Sequence, residues 1–416
     1  MTFDGLPSSW GFGELKNVGV AVLDCEHKTP PDAGEGHPYI AIPNLVDGRL
    51  DLSSVRRITD DQLKEWTRRT QPQGGDIIVT RRARVGDSAV VPAGLWCAIG
   101  QNLVILRSDG NRVDQRFLRW ATRGRLWMHE VDRLRNVGAV FDSLNVRDIA
   151  RIRIPLPPRA EQERIACVLD ALETKIGSNR QLAGLLEETA ATLFRALFVD
   201  FVGAEDFEDS ELGPIPVGWR VGSLVDLAKF VNGKAFTKYG SGAGRPILRI
   251  RELNQGVDRQ TLRADLHAND VNVAHADDIL FAWSGSLGLY RWPGDEALIN
   301  QHIFKVIPEG TPQWFVHAWI EEHMDWFRSV AAEKATTMGH IQRRHLAEAR
   351  VAVPASHALE DADRLVGPID RHRARLVQES RTLTELRDAL LPKLISGEIR
   401  VPDTSDVAEV IEPVVA

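Results

Sequence analysis

Four loops carry the side chains best suited to chemistry with an outside partner. DCEHKTPP covers 24–31 and TRRARVG covers 80–86; NGKAFTKYG covers 232–240 and AWSGSLG covers 282–288. The candidate contact residues are His27, Lys28, Thr29, Arg81, Arg82 and Arg84 in the first pair of loops. In the second pair they are Lys234, Phe236, Lys238, Trp283 and Ser284. Cationic, hydroxyl and amide side chains on loops at one face can touch phosphates and read base edges. The loops are too polar to pack as an interior; for each one separately, a solvated surface loop is the competing reading. Gln101 and Gln301 stand at matching places and either read bases or hold a turn.

No catalytic constellation accompanies them. GSGAGR at 240–245 lacks the Lys-Ser/Thr ending of a phosphate loop and reads as a flexible loop. The twelve histidines include no HExxH or paired metal spacing. There is no GxSxG elbow, no nuclease-like set of carboxylates with lysine, and no Asn-Pro-Pro-aromatic run of the adenine-methyltransferase kind. No catalytic residue, metal or cofactor is therefore expected. Cys25, Cys97 and Cys167 are far apart and odd in number, which suggests neither disulfides nor zinc and fits a reducing cytosol. The start of the chain has no signal-peptide pattern and no apolar run reaches about 18 residues, so a cytoplasmic protein with no membrane partner is expected.

Net charge is −7, which argues mildly against nucleic acid. Residues 81–153 reverse the sign locally, with 14 Arg, no Lys and 7 Asp plus Glu. Arginine without lysine suits bidentate recognition of phosphate or guanine edges, with a solvated face as the alternative.

The elements that must position these loops come in two copies about 197 residues apart. Arg153 meets Arg350, Pro157 meets Pro354, Glu163 meets Glu360 and Leu186 meets Leu383. A period that long is a duplicated domain rather than a solenoid. In the first block PYIAIPNL, GDIIVTR, DSAVVP, LVILRS and ARIRIPLPP read as strands, with helical inserts at DDQLKEWTRR and DQRFLRWATRGRLWMHEV. The second block repeats this grammar, pairing Asp76 with Asp278, Gly86 with Gly288 and Gln101 with Gln301. Shared turns with unlike residues between them predict one fold used twice with two specificities.

A long helix follows each block. The first has a seam at Ile165, Leu169, Leu172, Ile176, Leu186, Leu193 and Leu197, interrupted by Asn179. The second carries Leu365, Ile369, Leu376, Leu383, Leu386 and Leu390 at the same alternation, with His372 and Glu379 at seam positions. The two seams either pack on each other or each packs on its own β domain.

The runs IPLPPRAEQERIACVLDALETKIGSNRQLAGLLEETAATLFRALFVDF (154–201) and LVGPIDRHRARLVQESRTLTELRDALLPKLISGEI (365–399) resemble the central and distal conserved regions of type I restriction-modification specificity subunits. DCEHKTPP, GKAF, NQHI and TTMGHI resemble pieces of that family's recognition domains, so the likeness covers essentially the whole chain. Pro368 and the polar seam positions are a departure. The resemblance implies an α+β fold: two similar β-rich target-recognition domains joined by two long antiparallel coiled-coil helices in a pseudo-twofold repeat. It implies recognition domains at 1–157 and 203–357, conserved helices at 158–202 and 358–399, and a tail at 400–416. It implies double-stranded DNA, two adenine methyltransferase subunits and, through them, restriction subunits as partners. One domain would read each half of a split, asymmetric site, and the chain itself would have no active site. A helix of about 33 residues would span roughly 50 Å, on the order of 15 base pairs. A stand-alone restriction or modification enzyme and a structural adaptor without DNA contact are the alternatives.

Overall fold

The apolar runs IIVT and LVIL do not alternate, and the reason is that their sheet is covered on both faces. The structure, a computed structural model, describes residues 5–138, 142–333 and 339–402. These fall into two compact units: residues up to 175 with those from 384 onward, and residues 176–383.

In unit 1, Val20–Asp24, Leu103–Ser108, Ile77–Thr80 and Ser88–Val90 form an antiparallel sheet in that order. Ile77, Val79, Val104 and Leu106 face one cluster with Trp127 and Ile154. Ile78, Leu103 and Ile105 face another with Ile40 and Ile99. A smaller sheet pairs His37–Ile40 in parallel with Ala98–Ile99 and antiparallel with Arg56–Ile58. The closing strand Arg153–Leu156 lies antiparallel to Gly11–Glu14. The insert read as one helical run is two helices, Gln115–Ala121 and Arg125–Leu134. They break at Gly124, where an added Cβ would come within 3.1 Å of the Ile395 side chain.

Unit 2 repeats the plan. Ala228–Asn232, Ile303–Pro308, Ile279–Ala282 and Gly288–Arg291 take the same sheet order. Arg245–Leu248 runs parallel to Ala297–Ile299, and Arg350–Val353 closes on Arg220–Ser223. Its core is more aromatic, with Phe230, Phe281 and Phe304 in contact.

Each unit also holds half of each long helix. The central helix is Arg159–Phe198 and the distal helix Ser356–Ser396. In unit 1 the start of the central helix packs on the end of the distal one: Ile165, Ala166 and Leu169 cluster with Leu391, Leu394 and Ile395. In unit 2 the end of the central helix meets the start of the distal one, Phe194 and Phe198 clustering with Ala362 and Val366. The helices are thus antiparallel, and each also packs on a β block, so both alternatives for the seams hold at once. A matching tryptophan anchors each helix end. Trp10 joins the cluster with Leu394 and donates to Glu161, which Arg400 also reaches. Trp219 stacks on Phe198 at 5.7 Å.

The seam of the distal helix keeps Leu376 and Leu383 but needs correcting by one residue at Leu365, His372 and Leu386. Leu386 is 45% and Leu365 50% exposed, while Val366, Arg373, Leu376, Ser380, Leu383, Arg387 and Leu391 are buried. Ile369 and Leu390 are half-buried, and His372 is exposed. The buried face is set by two arginines. Arg387 reaches Glu173 and Asp47 in unit 1; Arg373 reaches Asp277 and Asp370 in unit 2. A heptad reading that seeks only apolar residues slides past them. Pro368 lies inside the helix on its exposed side. On the central helix Leu172 and Ile176 are buried and Leu186, Leu193 and Leu197 half-buried. Asn179 is buried, with no partner for its Nδ2.

Glu130 ties the Arg125–Leu134 helix to the closing strand. It is fully buried and accepts from Arg153 (2.6 and 3.0 Å) and Arg133 (2.7 and 3.1 Å). Burial alone would raise its carboxyl, but these hydrogen bonds outweigh it and hold it down at about 2. A carboxyl depressed on folding stabilises fully above its unfolded value near 4.5, and that stability drains away as pH falls toward 2. Glu130→Gln is therefore expected to cost about 3 kcal/mol at pH 7 and progressively less below pH 4.5. Urea denaturation of both proteins at pH 7 and 3.5 checks this; a gap that does not narrow at the lower pH contradicts it.

Candidate nucleic-acid interface

Three backbone segments meet at one rim of each large sheet, and they meet in the same way twice. In unit 1, Arg81 N–H donates to Asn102 O (2.9 Å) and Leu144 N–H to Arg81 O (2.8 Å), with Arg82 bridged to Ser143. In unit 2, Trp283 N–H donates to His302 O (3.2 Å) and Ile341 N–H to Trp283 O (3.1 Å), with Ser284 bridged to His340. The tight turns before the central strands also match: Leu103 N–H donates to Gly100 O and Ile303 N–H to Asn300 O. Matched positions are therefore Arg81 with Trp283, Arg82 with Ser284, Gln101 with Gln301, Asn102 with His302, and Ser143 with His340. Ala83 and Gly285 match too, and both sit at positive φ, 59° and 72°. Only the glycine adopts that conformation without strain.

The side chains at these shared positions differ. Arg81 is half-buried and donates through Nε to Gln101 O (3.1 Å). Trp283 packs its ring against His302 (5.8 Å), Phe304 (5.6 Å) and His340 (6.4 Å). Gln301 is exposed and its amide reaches His302 Nε2 (3.2 Å). Thr29 and Gln101, from different loops, line one cleft of about 260 Å³ with Tyr39, Asn44, Arg56 and Asn102. Asn102 Oδ1, Trp283 Nε1, Asn300 Oδ1 and His302 Nδ1 are buried without a hydrogen-bond partner.

The remaining sequence-derived candidates separate into groups. Lys28, Arg82, Lys234 and Lys238 are exposed and make no ion pair among the described residues. His27 is exposed but pairs with Asp24 (2.9 Å). Arg84 is engaged by Ile42 O (2.5 Å), Leu45 O (2.7 Å) and Asp87 (3.3 Å), so it fastens its loop to the segment that follows the His37–Ile40 strand. Phe236 must be corrected: it is 5% exposed in a core with Ile247, Val273 and Leu298 and is not available to DNA. Ser284 is also buried. Thr336, Thr337 and Met338 of TTMGHI lie outside the described residues, as does the tail from 403.

Many of the arginines of 81–153 pair with carboxylates of the same chain, although most of the fourteen are exposed. Arg107 pairs with Asp76, Arg116 and Arg119 with Asp170, Arg123 with Asp47, and Arg133 and Arg153 with Glu130. The local charge is thus partly neutralised within the chain, by Asp47, Asp76, Glu130 and Asp170. Asn102, Ser143, His302 and His340 were missed by sequence reasoning. The signal was available for two of them, since Asn102 and His302 directly follow the matched glutamines.

Two of the cysteines are poor nucleophiles. Cys25 and Cys97 are buried, and burial pushes both thiols up to about 12. Among the described residues no cluster of three metal-ligating side chains is present and no helix is long and apolar enough to cross a membrane.

A family model described as the type I restriction modification DNA specificity domain matches residues 7–188 and 216–361. The chain belongs to this family. The two matches fall on the two blocks, so the specificity-domain fold occurs twice in one polypeptide. The MjaIX type I restriction enzyme specificity subunit of Methanocaldococcus jannaschii is 26% identical over 428 residues, covering 96% of this chain and 95% of that one. The EcoKI specificity subunit of Escherichia coli is 22% identical over 306 residues, covering 69% and 64%. A crystal structure of the type I S subunit from M. genitalium shares the fold, with a TM-score of 0.54 at 15% identity over 96% of this chain and 97% of that one.

Proposed function

We propose that this chain is the DNA-recognition subunit of a type I restriction-modification complex, reading a split, asymmetric site with one block per half-site. One observation carries the reading: the same three segments meet at the rim twice through matching backbone hydrogen bonds and bridges, with mostly unlike side chains on it. A duplicated frame with divergent contact residues is what two different half-sites require. The recognition domains are 1–157 and 203–357, and the helices at 158–202 and 358–399 join them and set the distance between half-sites.

The chain supplies recognition and no active site. Two adenine methyltransferase subunits bind along the helices, where Leu182, Leu185 and Leu386 present apolar side chains to solvent. Restriction subunits join through them, and the complex works in the cytoplasm.

Replacement of residues 10–157 by the corresponding block of another specificity subunit tests the reading. One half of the recognised site is expected to change while the other is kept, as read by mapping methylated motifs; two unchanged halves would sink it. The chain alone, given DNA, magnesium and methyl donor, is expected to leave DNA uncut and unmethylated.

Arg82 and Lys234 hold phosphate in this scheme. Arg82→Ala should weaken binding to every sequence alike and reduce the slope of log K against log salt by about 0.9. Titrations at several salt concentrations check this; an unchanged slope removes Arg82 from the contact.

A further inference from the structure

Resting on the DNA reading above, we infer that three matched rim positions choose the bases: Arg81, Asn102 and Ser143 in unit 1, and Trp283, His302 and His340 in unit 2. The exposed cations Lys28, Arg82, Lys234 and Lys238 hold phosphate only.

The backbone at the rim is the same in both units, so its own N–H and C=O groups carry the fold there. At these core positions the side chains stay apolar in both copies: Ile77 with Ile279, Val104 with Phe304, Leu106 with Val306. At the rim Gln101 and Gln301 stay alike, while three other positions change type, from guanidinium to indole, amide to imidazole and hydroxyl to imidazole. Unlike polar groups at matched points of a shared frame suit a surface that answers to something outside the chain.

The unpartnered atoms point the same way. Asn102 Oδ1, Trp283 Nε1 and His302 Nδ1 are shielded from solvent yet lack a partner, and Asn300 Oδ1, buried beside them in sequence, lacks one as well. Such groups are costly unless a ligand completes them. Asn102, Trp283 and His302 are only half-buried, so a ligand can reach the rim from outside. Phosphate does not suit this set, because Asn102 Oδ1 is an acceptor and would repel it. Base edges do suit it. An amide pairs with the N6 and N7 groups of adenine, and an indole N–H donates to an acceptor-bearing edge such as guanine. Trp283 already packs against His302 at a tilt and His340 edge-on, which restricts the orientation of its N–H.

The test is an exchange between the copies. Full-length chain, assembled with its methyltransferase partner, is put through selection on randomised duplexes as wild type, Asn102→His and His302→Asn. Asn102→His is expected to change preference by about tenfold or more at one or two positions of one half-site, leaving the other half and the spacer alone. His302→Asn should do the reverse. Asn102→Ser and His302→Gln, which are milder, serve if an exchanged variant unfolds, and thermal unfolding confirms each fold. Folded variants that keep both motifs, or lose affinity equally for all sequences, overturn the assignment. A wild-type complex that selects no bipartite motif overturns the DNA reading itself, and the assignment with it.

Discussion

Arg387→Ala is expected to destabilise unit 1 by about 3–5 kcal/mol, more than any apolar truncation on the helix pair of that unit. The Arg387 side chain is 1% exposed and donates to Glu173 (2.7 Å), to both carboxylate oxygens of Asp47 (3.1 and 3.3 Å) and to Asp388 (2.9 Å). Glu173 is nearly as buried and also accepts from Arg49 (2.5 Å). Burial would raise the Glu173 carboxyl, but the hydrogen bonds from Arg387 and Arg49 prevail and hold it below its ordinary value. Removing the arginine strands that carboxylate in a site built for a pair. Replacing both partners by methionine should recover much of the loss, because the desolvation penalty then disappears with the charges. Urea midpoints of the two single variants and the double variant decide the matter. A loss under about 1 kcal/mol for Arg387→Ala would show that Arg49 and water satisfy Glu173 unaided.

This network explains where sequence reading succeeded and where it stopped. Duplication was legible because turn glycines, closing strands and the Gln101 and Gln301 turns recur at nearly constant spacing, and those features depend on local backbone conformation. The strands of each block were legible from its β-branched runs. Parts of the distal seam were misread by one residue because burial there also follows Arg373 and Arg387, and a buried arginine is recognisable only with its carboxylates from distant parts of the chain. Phe236 looked like a contact residue because its neighbours Lys234 and Lys238 are exposed; a short helical turn, Phe236–Tyr239, directs its ring into the small-sheet core. The arginines of 81–153 looked like a phosphate track for the same reason: their acidic partners Asp47, Asp76, Asp170 and Glu173 lie outside that window of sequence. His302 and Asn102 could not be ranked above their neighbours until the shared rim put them side by side with Trp283 and Arg81.

Removing four residues from each long helix is expected to shorten the preferred spacer by one or two base pairs, and removing two from each to abolish specific binding. The central and distal helices each start in one unit and end in the other, over 40 and 41 residues. Four residues of helix are about 6 Å of rise and slightly more than one turn, a net rotation of roughly 40°. Two base pairs of DNA are nearly 7 Å and a rotation of roughly 70°, so length and angle change in the same sense and a shorter spacer can absorb both. Two residues remove only about 3 Å but rotate one end by roughly 160° relative to the other. No spacer near the original satisfies that, and two half-sites that cannot be engaged together lose the gain from linkage, on the order of a hundredfold or more in affinity. Deletions centred on Ile176–Asn179 and Ser380–Leu383 avoid Arg373 and Arg387, so both carboxylate networks are kept. Selection on duplexes with spacers of graded length reads the outcome. If the four-residue deletion keeps the original spacer, the helices do not set the half-site distance; if the two-residue deletion binds as tightly as wild type, the two blocks read DNA without a fixed mutual angle.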